Sequence, residues 1–83
     1  MLLTWHKYPS KEAVLLSPNG EAHATVMSSP PRGFVVKVRG EFLAFKLTDW
    51  DGMRAAQYHL RQNVSRYFPG HFLEFFQIKE KNR

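Results

Sequence analysis

Four histidines, two neighbouring aspartates and a pair of serines are the residues whose chemistry could make this chain catalytic or metal-binding. His6, His23, His59 and His71 follow no helical or hairpin-paired interval that would converge ligands on one ion. Asp49 and Asp51 are the close carboxylates, and a helix start accounts for both: negative charge there meets free amide N–H groups and the positive end of the helix dipole. Ser28 and Ser29 sit in a proline-rich stretch with no base nearby and no nucleophile-elbow pattern. The glycines are isolated, so no phosphate-cradling loop is encoded. These residues argue for a protein that is not an enzyme, needs no cofactor or metal, and offers no small-molecule substrate site.

Binding chemistry is better represented. At 100° per residue, a helix over Trp50–Tyr67 puts Met53, Ala56, Leu60, Val64 and Tyr67 on one stripe. Tyr58 then points to solvent, with Arg54 and Arg61 as neighbours and His59, Gln62 and Arg66 completing a patch. Tyrosine beside arginine is the composition of interface hot spots, so Arg54, Tyr58, Arg61, Gln62 and Arg66 are the first candidate partner-binding set. A second set is Lys37, Phe42, Lys46 and Phe75, with Val35, on a sheet face. Aromatic residues flanked by lysines can stack bases and touch phosphates, at about 1–3 kcal/mol per stacked base. The competing expectation is that the first hairpin folds over that face and buries it. Arg32-Gly33-Phe34-Val35-Val36 resembles the start of the aromatic motif of RNA-recognition modules. The motif's small residue and second aromatic are missing here. That fold also needs a helix where this chain has an Asn-Gly turn, so the resemblance goes no further.

The elements that must carry these residues follow from pattern and turn chemistry. Leu2–Tyr8 reads as a strand ended by Pro9-Ser10. Ser17-Pro18-Asn19-Gly20-Glu21 separates strands at Ala13–Leu16 and Ala22–Met27, and Asn19-Gly20 predicts a two-residue type I′ turn. Residues 28–33 form a Pro-rich loop between hairpins, since two successive prolines cannot sit in a central strand. The second hairpin is Phe34–Val38 with Glu41–Leu47, turning at Arg39-Gly40. It predicts Phe34, Val36, Val38, Leu43, Phe45 and Leu47 on one face, and Val35, Lys37, Phe42, Ala44 and Lys46 on the other. Thr48 caps the helix, Pro69-Gly70 stops it, and a last strand at His71–Lys79 returns beside the second hairpin. The fold class predicted is α+β: an antiparallel sheet of four to five strands with one helix on one face, in the order β-ββ-ββ-α-β.

The totals agree with a small binding domain. Eighty-three residues suit one domain, 1–83, with 80–83 as a frayed basic tail. The chain has no cysteine, which excludes disulfides and thiolate metal sites and fits a cytoplasmic protein. No apolar run is long enough for a membrane span. A net charge of +5 and a pI near 9.9 favour acidic protein surfaces or nucleic acid as partners. The leading expectation is a non-catalytic protein–protein interaction module. Such a module would be an adaptor or inhibitor of the kind phages and mobile elements carry, with a protein partner or a second copy of itself as a homodimer. The alternative is a nucleic-acid-binding protein using the sheet face. One helix can cover only one face of such a sheet, and this mismatch is the basis of both.

Overall fold

Alternating apolar residues, punctuated by glycine and proline, give the described residues six short strands, one main amphipathic helix and a second, four-residue helix. The computed structural model describes residues 2–70 and 77–82. Over these the chain runs β1 (Leu2–Lys7), β2 (Ala13–Leu16), β3 (Ala22–Ser28), β4 (Phe34–Val38), β5 (Glu41–Lys46), α1 (Asp49–Gln62), α2 (Val64–Tyr67) and β6 (Gln77–Asn82). All six strands form one sheet in the order β5-β4-β3-β2-β1-β6. The first five make an antiparallel meander, and β6 lies parallel to β1. The fold is α+β, with a mostly antiparallel sheet and one main helix packed on it. The β2–β3 hairpin is part of the sheet, so it does not fold over the second face.

The β4–β5 and β2–β3 turns obey different chemistry. Arg39 and Gly40 both take positive φ, 53° and 81°, as a type I′ turn requires. At the other turn Pro18 fixes a negative φ, and Asn19 is not in the left-handed region, so the expected type I′ turn does not form. The Gly20 N–H bonds to Ser17 O at 2.9 Å, and Gly20 alone supplies the left-handed residue, at φ 85°.

Two bulges set which side chains face the helix. In β3, Leu15 aligns with Ala24 and Leu16 with Ala22, leaving His23 as the extra residue. His23 and Ala24 are consequently both buried, at 3% and 2% exposure. In β5, Lys37 aligns with Phe42 but Val36 with Ala44, so Leu43 is the extra residue. The expected register holds through Phe42 and is corrected beyond it. Ala44 and Lys46 share the face of Val36 and Phe34, while Phe45 aligns with Val35 on the opposite face.

The core is one layer between sheet and helix. Leu3, Trp5, Leu15, Val26, Val36 and Val38 meet Met53, Ala56, Leu60, Val64 and Phe68. Complete burial of each large side chain contributes about 1.5–3 kcal/mol. Gly52 lets α1 approach closely, since a Cβ there would stand 3.0 Å from Val26 and 3.1 Å from Val36. Thr48 caps α1 as its sequence implies, its Oγ1 accepting the Asp51 N–H at 3.1 Å. The helix is shorter than the predicted Trp50–Tyr67. Asn63 leaves helical geometry at φ −129°, and its side-chain amide donates to His59 O at 2.8 Å, competing with the helix ladder. Val64–Tyr67 then forms its own short turn.

The last strand joins the opposite edge from the one expected. Instead of pairing beside the second hairpin, β6 pairs with β1, aligning Ile78 with Leu3. The reason is burial: Leu3 and Trp5 are wholly enclosed, and partly buried Ile78 closes their end of the core.

Candidate functional site

The buried stripe of α1 fixes the direction of its outer face. With Met53, Ala56 and Leu60 fully buried, Tyr58 is 68% exposed and Arg54, Arg61 and Gln62 are exposed with it. Arg66, on α2, is exposed too; its guanidinium lies 3.9 Å from Glu41 and 5.1 Å from the centre of the Tyr67 ring. His59 departs from the expected patch. It is half-buried, with Nε2 2.8 Å from the Tyr67 hydroxyl, and so ties α1 to α2.

The structure divides the predicted helix set and adds a residue to it. Arg54 and Tyr58 line a cleft of about 540 Å³ between α1 and β5, together with Leu43, Ala44, Lys46, Asp51, Ala55 and His59. Arg61, Gln62 and Arg66 lie outside that cleft. Arg66 lines a smaller hollow of about 110 Å³ with Glu41, Phe42 and Leu43. Leu43 and His59 belong to both hollows, so the depression follows β5 from Lys46 to Glu41. Lys46 was expected on the sheet face; the Leu43 bulge turns it toward the helix. Neither Arg54 nor Lys46 has an ion-pair or hydrogen-bond partner among the described residues.

The same bulge reshapes the second face of the sheet. Phe42 lies there opposite Lys37 and Phe45 opposite Val35, at 66% and 48% exposure. Met27, aligned with Val35, is 44% exposed. The Phe45 ring covers Gly33, where φ is 99° and a Cβ would collide with the ring. No described element covers this face. Phe75, the remaining member of the predicted sheet-face set, lies outside the described residues, as does His71.

A third cluster escaped the sequence reading because its members are far apart in the chain. Arg39 donates to Tyr67 O at 3.0 Å and lies 5.5 Å from the centre of the Phe68 ring. His23 packs 5.0 Å from that ring and lines a hollow of about 400 Å³ with Arg39, Ser17 and Asn19. Both His23 ring nitrogens are buried without a hydrogen-bond partner among the described residues. Burial, then the Arg39 charge, hold its pKa below the usual 6.5, with Glu21 opposing. Among the described residues no three His, Cys, Asp or Glu side chains come together as a metal cage. None of the described helices is long and apolar enough to cross a membrane.

Compared with known proteins, the chain matches no family model, no curated protein and no solved structure.

Proposed function

We propose that this protein is a non-catalytic protein–protein interaction module, an adaptor or inhibitor, whose partner meets the outer face of α1 around Tyr58. The observation that carries the reading is Tyr58 itself, a large aromatic 68% exposed beside a cleft whose cations, Arg54 and Lys46, lack described partners. Residues of this kind gain most from a partner, because Tyr and Arg bring large contact area and directed hydrogen bonds. The excess of positive charge favours an acidic partner surface. A reducing compartment such as the cytoplasm suits a chain without cysteine.

The test is capture of host proteins on immobilised wild-type protein and on Tyr58→Ala. The Tyr58 side chain supports little of the fold, so the variant is expected to melt within about 0.5 kcal/mol of wild type. Partner affinity should fall by more than about 1 kcal/mol. Equal capture by a folded Tyr58→Ala protein would remove α1 as the binding surface.

A second reading has its own observation: Phe42, Phe45 and Lys37 share an uncovered sheet face. Single-stranded nucleic acid fits such a platform, with bases on the rings and phosphates on the lysine. Binding of this kind weakens steeply with salt, log K falling about 0.7 per neutralised phosphate per decade of salt. Absence of any mobility shift at low salt would eliminate it.

A further inference from the structure

We infer that this chain pairs with a second copy of itself along β5, antiparallel, setting Glu41 against the partner's Lys46 and Phe42 against the partner's Phe45. Among the described residues β5 is paired on one side only, with β4. Its outer side presents a row of backbone N–H and C=O groups, which readily bond to another strand. Two copies related by a two-fold axis bring the same strand antiparallel to itself, and every contact then occurs twice.

The bulge decides the register. Residues opposed across an antiparallel pair must lie on the same face. In an unbroken strand Phe42 and Phe45 would lie on opposite faces, and so would Glu41 and Lys46. The extra residue at Leu43 removes both mismatches. Phe42 and Phe45 align with Lys37 and Val35 on the open face, while Glu41 and Lys46 align with Val38 and Phe34 on the helix face. The axis then passes between Leu43 and Ala44. A slip of one residue would oppose Glu41 to the partner's Phe45, from different faces, so neighbouring registers fail where this one succeeds.

The chemistry in that register is self-complementary. Glutamate meets lysine at both ends, and phenylalanine meets phenylalanine inside them. The two rings are now 66% and 48% exposed, and pairing would cover apolar surface. Glu41 is available: its contact with Arg66 is long, at 3.9 Å, and the two side chains are 76% and 62% exposed. A lysine or a bulge on an outer strand usually deters pairing. Here the bulge brings the lysine opposite a glutamate instead. This inference goes beyond the α1 reading and does not depend on what Tyr58 binds.

Analytical ultracentrifugation of the full chain over a wide concentration range tests it. Wild type should dimerise. Glu41→Lys and Lys46→Glu, each placing like charges opposite one another twice, should each weaken dimerisation by roughly tenfold. An equimolar mixture of the two single variants should dimerise again, because each then supplies the charge the other lacks. The double variant E41K/K46E should return to within about threefold of wild type. A wild type that stays monomeric, single reversals that change nothing, or folded single variants that fail to recover when mixed would overturn the proposal. The α1 reading is judged separately, by the Tyr58→Ala capture.

Discussion

Lys7, the last residue of β1, holds Asp49, the first residue of α1, with Nζ 2.5 Å from Oδ2. The two side chains are only 18% and 10% exposed, and the Lys7 ammonium also lies 5.1 Å from the centre of the Trp50 ring. Asp49 therefore serves twice: its charge suits the helix N-terminus, and it fastens that terminus to the sheet. Burial pushes its pKa up, but the Lys7 hydrogen bond and charge, with backbone N–H groups, outweigh burial and leave it below 3.8. A depressed carboxyl contributes stability that is complete above 3.8 and drains away as acid protonates the folded form. Asp49→Asn should cost about 1–3 kcal/mol at neutral pH and flatten the acid limb of the stability curve, read by urea unfolding across pH. An unchanged acid limb would show that other carboxylates set it.

His23 predicts a second pH effect, nearer neutrality. The charged groups facing it are Arg39, which opposes its protonation, and Glu21, which favours it. Its folded pKa lies below 6.5, so the unfolded chain binds the proton first, and stability should fall as pH drops below that value. His23→Leu keeps the volume apolar and removes two unpartnered nitrogens. It should melt no lower than wild type at neutral pH and higher than wild type in mild acid, by thermal unfolding in matched buffers.

Gly52 tests how closely α1 must approach the sheet. Alanine is favoured over glycine in a helix by about 1 kcal/mol. A Cβ here would press on Val26 and Val36 at 3.0 and 3.1 Å, so Gly52→Ala should return little of that gain. Gly52→Leu should destabilise by roughly 1–3 kcal/mol or more through overpacking. Chemical denaturation of both variants measures the difference.

The two phenylalanines of the open face should respond unequally to removal. Phe42 is 66% exposed, and Phe42→Ala should stay within about 0.5 kcal/mol of wild type at concentrations where the protein is monomeric. The Phe45 ring lies on Gly33 and holds the base of the loop before β4, so Phe45→Ala should cost about 1 kcal/mol. Equal losses would mean that the two rings are equivalent.

Much of this arrangement is legible in the sequence wherever local chemistry decides it. The Met53, Ala56, Leu60 and Val64 stripe, the Thr48 cap and the Arg39-Gly40 turn each depend on neighbours within a few residues. The β5 bulge does not. Phe42-Leu43-Ala44-Phe45 is apolar in both phases, so a period of two cannot say which residues face the helix. Packing decides, by placing small Ala44 with Val36 on the face that α1 covers. That choice moved Lys46 into the α1 cleft and Phe45 out of the core. The edge taken by β6 depends on enclosing Leu3 and Trp5, a contact between opposite ends of the chain. The Arg39, Tyr67 and His23 cluster is equally non-local.

The parallel pairing of β6 with β1 also bears on how the protein is made. A ribosome releases Leu2–Lys7 well before Gln77–Asn82, and among the described residues that strand's outer side has no partner until the later segment has been synthesised. The meander and helix can assemble during translation, but this final closure must wait, as contacts of large sequence separation do. Until then the nascent molecule carries an unsealed margin beside Trp5.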